Sequence, residues 1–378
     1  MTMRVLQVIG AMDRGGAETV IMNLYRAMDK ERLQFDFLVH EQRECDYDAE
    51  IEAMGGRIYR LPRYTIANEA AYRRKCREHF ENHPEHVVVH GHIGSSAAVY
   101  LSEAKRAGRA TVLHSHAQNF DPFPQQQVFR MLAKRSLKWA DWYLGCSPEA
   151  GLDRFGTAIV NGERYDIMNN GVDVGMYACD EEGHQAAKRD LGHADEVLVG
   201  HVGRFIPVKN HRFLIDFFRE FHGMVPDSRL MLLGRGPLED EVRSYAQEAG
   251  VGEAVTFCGV RDDVPRYMKA FDLFVFPSIS EGLPMATVEA QAAGAPCLIS
   301  TGVPSSAISF RGARRLPLDS GPAQWAHAAV ELLEERVRRD EGGCDVRDNG
   351  YDIGQTAVWL AGLYEKLRDG AVDSGNRS

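Results

Sequence analysis

The chain lacks long apolar runs and paired cysteines. No stretch of its 378 residues approaches the ~18 consecutive apolar residues that a membrane-spanning helix needs. Its seven cysteines are dispersed and odd in number, and none forms a C-x-x-C pair, which argues against a disulfide framework or a zinc knuckle. The apolar run Val5–Met12 is too short for a signal peptide and predicts a first strand. We therefore expect a cytoplasmic protein.

The chain also lacks an excess of positive charge. Its formal net charge is −10, and the imbalance is confined to one part of the sequence. Residues 1–170 carry 22 basic and 22 acidic residues, whereas the remainder carries 22 and 32. An acidic chain without a basic arm is a poor general binder of nucleic acid, so no nucleic-acid partner is expected.

Two familiar glycine fingerprints are incomplete. Gly15 and Gly16 follow the first predicted strand, but neither a Gly-Lys-Ser/Thr sequence nor the G-x-G-x-x-G pattern is present there. In the stretch 234–239, Glu239 stands where the third glycine of a dinucleotide site belongs, which disfavours a dehydrogenase. Gly15 and Gly16 can still let the backbone approach a ligand closely. An ordinary tight turn is the alternative interpretation.

Short apolar runs alternate with helical patterns along the whole chain. Such alternation predicts an α/β fold with parallel sheets, and the number of strands favours two doubly wound domains. A turn-rich stretch at 168–173 marks the predicted boundary, followed by a looser polar segment at 179–195, and 351–367 is a predicted helix. The predicted strands are 5–9, 35–39, 57–61, 86–90, 111–114, 142–146, 196–202, 229–233, 254–258, 273–277 and 297–300.

Two glutamates eight residues apart form the most informative motif. Glu281 precedes a predicted helix that has Pro284 in its first turn, and Glu289 lies about two turns further on. A helix N-terminus offers free amide hydrogens that suit a phosphate. Carboxylates suit sugar hydroxyls, which donate as well as accept hydrogen bonds. Phosphate and hydroxyl recognition together describe a nucleotide sugar.

Two cations, Arg204 and Lys209, follow another predicted strand. Arginine can hold two phosphate oxygens at once and lysine adds a point charge, so this pair is typical of a diphosphate site. A solvated surface pair is the alternative.

Four histidines end two predicted strands, as His90-x-His92 and His114-x-His116. They could form a metal site. No carboxylate or cysteine with ligand spacing accompanies them, so a hydrogen-bonding or structural role is favoured. The sequence therefore predicts no metal.

The stretch 130–139 interleaves four cations with aromatic and aliphatic residues. This pattern is compatible with contact to an anionic membrane surface. A solvated helix face is the alternative.

Taken together, these motifs resemble those of the GT-B glycosyltransferases, specifically the large retaining family 4 and its members in bacterial capsule and exopolysaccharide synthesis. The similarity covers nearly the whole chain, and the E-x7-E motif is its most specific part. It implies two Rossmann-like domains facing a central cleft. The expected domains are an N-terminal acceptor-side domain (1–171) with a crossover helix (352–378), and a donor-binding domain (172–351).

The resemblance also implies roles for individual residues. Arg204 and Lys209 would hold the diphosphate, Glu281 the sugar hydroxyls and Glu289 the ribose, and His116 would meet the donor sugar. The remaining predicted contacts of the donor are Gly15, Gly16, Gly282, Leu283, Pro284, Gly259 and Val260.

The implied activity is that of a retaining hexosyltransferase that needs no cofactor or metal. It would move a sugar from a nucleotide-diphosphate sugar, a UDP-sugar by resemblance, to a glycan or polyprenyl-linked sugar, with peripheral contact at the inner membrane face. One departure is 301–304, where family members often carry an acidic residue and this chain has Thr-Gly-Val-Pro. The alternatives are a nucleotide-sugar epimerase of the same fold and a non-catalytic nucleotide-sugar-binding partner subunit.

Overall fold

The structure, a computed structural model, describes residues 2–116, 125–335 and 337–370. The chain divides into two compact units, Met1–Asn170 with Ile353–Ser378, and Gly171–Asp352. Of the segment 352–378 that the sequence assigns to the first domain, residues 371–378 lie outside the described residues. Among the described helices, none combines the length and the apolar character needed to cross a bilayer.

The first unit contains a seven-stranded parallel sheet in the order β3-β2-β1-β4-β5-β6-β7. The order reverses between β1 and β4, as in doubly wound folds. Its elements up to the boundary are β1 Met3–Ile9, α1 Gly16–Ala27, β2 Leu33–Val39, α2 Asp48–Ala53, β3 Ile58–Arg60, α3 Glu69–Asn82, β4 His86–Gly91, α4 Ala97–Arg106, β5 Ala110–Ser115, α5 Gln125–Ser136, β6 Trp142–Gly145, α6 Pro148–Phe155, α7 Thr157–Val160 and β7 Tyr165–Ile167.

The second unit contains a six-stranded parallel sheet in the order β10-β9-β8-β11-β12-β13. Here the order reverses between β8 and β11. Its elements are α8 Val174–Tyr177, α9 Glu181–Leu191, β8 Val197–Val202, α10 His211–Met224, β9 Ser228–Leu233, α11 Glu239–Glu248, β10 Val255–Gly259, α12 Val264–Ala270, β11 Leu273–Phe276, α13 Met285–Ala292, β12 Cys297–Ser300, β13 Ala313–Leu316, α14 Pro322–Glu334 and α15 Gly342–Asp348. The predicted α/β architecture of two doubly wound parallel sheets is confirmed.

Each sheet is buried on both faces, which explains why its central strands are continuous apolar runs. In β1, Val5 packs into one core cluster and Leu6 into the cluster on the opposite face. In β11, Phe274 and Val275 divide between two clusters in the same way. This follows from the two-residue period of a strand.

The last described helix, α16 (Ile353–Arg368), belongs to the first unit although it follows the second unit in sequence. It packs against α1 and β4. Leu360 and Tyr364 are fully buried in the same cluster as Val5 and Phe35. The core of the first unit is therefore completed by residues from the end of the chain.

The structure contains elements that the sequence did not predict. The edge strands β7 and β13 are short, and β13 reads Ala-Arg-Arg-Leu, without the apolar run of a central strand. The segment 179–195, described from the sequence only as a looser polar segment, contains α9. Asp180 caps this helix by accepting a hydrogen bond from the Gly183 amide at 2.8 Å.

Candidate functional site

Two backbone hydrogen bonds tie loops of the second unit together at the carboxyl edge of its sheet. The Ile279 amide donates to the Val208 carbonyl at 2.8 Å and joins the loops after β11 and β8. The Gly234 amide donates to the Gly259 carbonyl, also at 2.8 Å, and joins the loops after β9 and β10. Ligands of open α/β sheets bind at this edge where the strand order reverses, which here is between β8 and β11.

Lys209 and Glu281, both predicted site residues, form an ion pair at this edge. Lys209 Nζ donates to Glu281 Oε1 at 2.7 Å, and the two side chains are only 16% and 15% exposed. The ammonium group also lies 4.5 Å from the ring centroid of Phe276, the last residue of β11. The Glu281 amide donates to the Gly302 carbonyl at 3.0 Å, which fixes the backbone of this loop. The structure therefore joins a predicted phosphate ligand directly to a predicted sugar ligand.

Arg204 lies on the same edge, but its side chain is exposed. The Arg204 side chain has no hydrogen-bond or ion-pair partner among the described residues. Its backbone is nevertheless held in place, because the neighbouring Phe205 is buried and stacks on His211 with ring centroids 4.2 Å apart. The Phe205 amide also donates to the Arg235 carbonyl at 3.2 Å. The guanidinium group is therefore free to pair with a ligand anion.

Gly282, Leu283 and Pro284 lead from Glu281 into α13. The helix begins at Met285 with Pro284 as its N-cap, so the proline predicted in the first turn lies immediately before the helix. A Cβ atom built at Gly282 would meet nothing within 4 Å among the described atoms. The first turn of α13 therefore presents its amide hydrogens beside an open backbone segment.

Glu289 lies in the second turn of α13, apart from the Lys209–Glu281 pair. The hydroxyl-bearing side chain of Tyr177 lies nearby, at the end of α8, which packs against α13. Burial raises the pKa of Glu289 to about 7, and the neighbouring Tyr177 hydroxyl offsets part of that rise. Burial and the nearby carboxylate together raise the pKa of Tyr177. Tyr177 could not be singled out from the sequence, because it lies about 110 residues from Glu289 and in no motif.

Gly259 and Val260 are the predicted contacts of the base; Gly259 ends β10 and Val260 follows it. Gly259 has a φ of +67°, a conformation that favours glycine, and Val260 is 58% exposed. An exposed valine beside a left-handed glycine provides an apolar surface at the sheet edge, which suits contact with a flat ring.

Gly15 and Gly16 lie at the N-terminus of α1 in the first unit. Gly15 caps the helix and Gly16 is its first residue. A Cβ at Gly16 would meet nothing within 4 Å, whereas a Cβ at Gly15 would overlap the Glu18 carboxylate. Packing within the described residues therefore does not require glycine at position 16.

His116 is also in the first unit, after β5. Its Nε2 lies 2.7 Å from His92 Nδ1, and the second nitrogen of His92 lies 2.8 Å from Gln7 Oε1. Burial, with a smaller contribution from Arg154, lowers the pKa of His116 to about 3. His116 is therefore a neutral hydrogen-bonding group near pH 7.

Close backbone packing holds the loop 301–304, which lacks the acidic residue expected from the resemblance. A Cβ at Gly302 would overlap the Ile279 carbonyl oxygen, so a side chain cannot be placed there without moving the loop after β11. Arg315 of β13 donates to the carbonyls of Thr301 at 3.0 Å and Val303 at 2.6 Å. The atypical sequence of this loop therefore forms an ordered backbone brace behind Glu281.

Comparison with known proteins identifies the family. Residues 14–176 match Glycosyltransferase Family 4, and residues 196–335 match Glycosyl transferases group 1. EpsF of Bacillus subtilis (strain 168), which is named as a glycosyltransferase, is 34% identical over 371 residues that cover 96% of each chain. The chain belongs to glycosyltransferase family 4. In this glycosyltransferase, residues 14–176 fall in the first unit or at its boundary, and residues 196–335 fall in the second.

Two further similarities agree with this assignment. The UDP-Gal:alpha-D-GlcNAc-diphosphoundecaprenol alpha-1,3-galactosyltransferase of Escherichia coli is 27% identical over 226 residues, which cover 56% of this chain and 57% of that protein. The crystal structure of Anabaena Alr3699/HepE in complex with UDP superposes with a TM-score of 0.77 at 18% identity, covering 97% of this chain and 100% of that one. This structural likeness shows the fold alone and confirms the predicted GT-B architecture.

Proposed function

We propose that this glycosyltransferase transfers a sugar from a UDP-sugar to a glycan or polyprenyl-linked sugar, with retention of configuration. The observation that carries the proposal is the Lys209–Glu281 ion pair at the start of α13. Lys209 supplies a cation for the departing diphosphate, and Glu281 supplies a carboxylate for the sugar hydroxyls. Both lie beside the free amide hydrogens at the start of α13. Those are the groups that a nucleotide-diphosphate sugar requires.

The cations would act on the charge that develops as the sugar–phosphate bond breaks. Electron density then accumulates on the diphosphate, and a fixed positive charge near it lowers the barrier. Lys209 is held by Glu281 and Phe276, so little reorganisation is needed. The exposed Arg204 would complete a two-cation clamp when the ligand binds. With this charge supplied by the chain, we propose transfer without a metal at the diphosphate.

The other predicted site residues would each contact a different part of the donor. Glu281 would accept from sugar hydroxyls and the first amides of α13, after Gly282, would donate to phosphate. Glu289 would bind the ribose hydroxyls while Tyr177 orients its carboxylate. Val260 would contact the base. The assignments of Gly15, Gly16 and His116 to the donor stay predictions of the family resemblance.

We propose front-face transfer for retention of configuration. In this scheme the acceptor hydroxyl attacks from the side that the phosphate leaves, and the phosphate oxygen takes its proton. No side chain then serves as a nucleophile, so Glu281 binds the sugar instead of bonding to it. This differs from a retaining glycosidase, which uses a pair of carboxylates.

A UDP-sugar and a lipid-linked acceptor are supported by the named relatives. The E. coli relative is named for UDP-Gal and a diphosphoundecaprenol acceptor, and HepE has been solved with UDP and with UDP-glucose. The similarity to EpsF over nearly the whole chain adds support for a biosynthetic glycosyltransferase, which we place in exopolysaccharide or capsule synthesis.

Variants of two residues test this proposal. Glu281→Ala is expected to lower sugar transfer by about 100-fold or more, because it removes a sugar ligand and the partner of Lys209.

Arg204→Ala is expected to weaken binding of UDP while leaving uridine binding unchanged. Radiolabel transfer measures the activity, calorimetry measures the binding of UDP and uridine, and NMR identifies the anomeric configuration of the product. Exposed Glu248→Ala is the control. Equal transfer by Glu281→Ala and wild type would contradict the proposal, as would inversion of the product.

We propose that the enzyme works in the cytoplasm with peripheral contact to the membrane. A surface groove of about 720 Å³ in the first unit brings five cations together beside Met131, which is 55% exposed. Glu69 and Glu103 pair with three of these cations, whereas Lys138 lies 5.1 Å from the ring centroid of Trp139. The five are Arg73, Arg106, Lys134, Arg135 and Lys138.

Lys134→Glu is expected to reduce co-sedimentation with vesicles that contain anionic lipid, because each cation near such a surface contributes about 1 kcal/mol. Arg189→Glu, on exposed α9, makes the same change in net charge and is expected to have no comparable effect. Equal losses in both variants would show that only overall charge matters and would contradict this contact surface.

A further inference from the structure

A cluster of four imidazole rings, two buried and two half-buried, lies at the carboxyl ends of β4 and β5. Ring centroids are 4.3 Å apart for His90 and His92, 4.0 Å for His114 and His116, and 5.3 Å for His90 and His114. The alternate spacing within each pair places both rings on one face of the strand, and the parallel pairing of β4 with β5 brings the pairs together. The regular geometry of the parallel sheet therefore brings the four rings together.

Several ring nitrogens in this cluster have no partner among the described residues. They are Nε2 of His90, both nitrogens of His114, and Nδ1 of His116. A buried polar group left without a hydrogen bond costs about 1–3 kcal/mol, and native proteins contain few of them. Four in one cluster indicate that the site is built for a ligand that accepts nitrogen lone pairs.

The outer nitrogens of two rings are held by neighbouring side chains. His90 Nδ1 lies 2.6 Å from the Tyr364 hydroxyl, and His92 Nε2 lies 2.8 Å from Gln7 Oε1. The Gln7 amide nitrogen in turn donates to the Tyr364 oxygen at 3.4 Å. When these outer nitrogens donate, the inner ones, His90 Nε2 and His92 Nδ1, keep their lone pairs. Histidines that bind metals are oriented by such outer hydrogen bonds.

We propose that His90, His92 and His114 bind a first-row divalent transition metal ion such as Zn²⁺, with His116 at the fourth position instead of at the donor sugar. One potential ligand nitrogen from each of the first three residues lies within 4.8 Å of the others. Zinc–nitrogen bonds of about 2.0–2.1 Å imply nitrogens about 3.3 Å apart, so the His114 and His116 rings, with centroids 4.0 Å apart, would move apart on binding. His116 Nε2 lies 2.7 Å from His92 Nδ1, so the ion would replace that hydrogen bond.

The donor set determines which ion is selected. Four imidazoles favour zinc, copper, nickel or iron, whereas Mg²⁺ and Ca²⁺ prefer oxygen ligands. The nearby positive charge of Arg154 opposes the ion, so the affinity should be lower than that of a site with a carboxylate ligand. The site lies in the first unit and is not the cation for the diphosphate proposed above. Its test therefore does not depend on transfer activity.

The experiment uses the full chain without a histidine tag, stripped of metal by a chelator and dialysed. Titration with Co²⁺ is followed by visible absorption, and Zn²⁺ displacement by calorimetry. We expect one equivalent of Co²⁺ with the intense bands of a tetrahedral nitrogen site, displacement by Zn²⁺, and no response to Mg²⁺. His90→Gln and His114→Gln should abolish this signal. His327→Gln, which changes an exposed histidine of α14, should leave it unchanged.

A milder variant keeps the test valid if a ligand variant fails to fold. Tyr364→Phe removes the outer hydrogen bond of His90 and should weaken Co²⁺ binding by about 10-fold or more. Its folding is checked by circular dichroism. Absence of stoichiometric binding to the wild type overturns the proposal. It is also overturned by an octahedral spectrum, or by equal binding in His327→Gln and folded His90→Gln.

Discussion

At the scale of single residues, Glu289 shows a conflict between folding and ligand binding. Its carboxylate lies on α13, where burial raises its pKa to about 7 and so favours the neutral form. Ribose recognition, however, requires a good hydrogen-bond acceptor. The folded-state pKa lies above the ordinary value, so this residue's contribution to stability is fully present at low pH. It is lost as the pH rises through about 7 and the buried group becomes charged.

Glu289→Gln tests this conflict. At about pH 5 the wild-type group is neutral, so the variant should melt at nearly the same temperature. At about pH 8 the variant should melt higher than the wild type, because it buries no charge. UDP binding should weaken at both pH values. Thermal melts measure the difference, with exposed Glu334→Gln as a control that should show no pH-dependent change. A difference in melting temperature that is the same at both pH values would contradict the assignment.

The sequence could suggest site residues where they fall in motifs, but not their partners. Glu281 and Lys209 were recognisable from their spacing near strand ends, and the structure brings them together. Tyr177 and Tyr364 lie far in sequence from the residues they contact, and neither belongs to a motif. The histidines were recognised, but a hydrogen-bonding role was favoured over metal binding. Only the three-dimensional structure shows that some of the histidine ring nitrogens form hydrogen bonds while others have no partner among the described residues.

At the scale of elements, the donor site depends on how closely the loops approach one another. Gly234 adopts a φ of +127°, and a Cβ built there would overlap the Gly203 carbonyl oxygen. The loop after β9 therefore rests on the loop that carries Arg204. Any side chain at position 234 would separate these two loops.

Gly234→Ala should destabilise the protein by about 1–3 kcal/mol through backbone strain, and should also weaken UDP binding by displacing Arg204. Gly192→Ala is a matched control, because Gly192 has a φ of +81° but a Cβ there would meet nothing within 4 Å. Chemical denaturation and UDP titration of both variants measure the two effects. If both variants lose UDP affinity equally, the close approach is not what positions Arg204.

The elements that the sequence predicted are those with strong apolar patterns. The central strands β1, β8 and β11 are buried on both faces and read as continuous apolar runs. The edge strand β13 has one open side, so its two arginines are tolerated and its sequence gives no strand pattern. The missed helix α9 is fixed by polar contacts. His184 and Lys188, one turn apart, both bind Asp272, at 3.0 and 2.9 Å.

At the scale of the whole molecule, the two units have separate cores. The clusters around Leu360 and Phe218 share no residue, and each is built on its own sheet. A change in one core should therefore act on one unit first.

Calorimetry of two core variants tests this separation. Leu360→Ala should destabilise the first unit by about 2–5 kcal/mol, and Phe218→Ala should destabilise the second by about 3–5 kcal/mol. We expect each variant to lower one of two unfolding transitions and leave the other in place. Wild-type calorimetry gives the reference. A single transition that shifts equally in both variants would contradict independent cores.

The return of α16 to the first unit has a consequence for how the protein is made. Translation delivers residues 1–170 to the ribosome exit first, but their sheet still lacks Leu360 and Tyr364 at that moment. The second unit, Gly171–Asp352, emerges with all of its own core residues before α16 does. The part of the enzyme synthesised first is therefore the part completed last, and its unfinished apolar face is available to chaperones throughout synthesis.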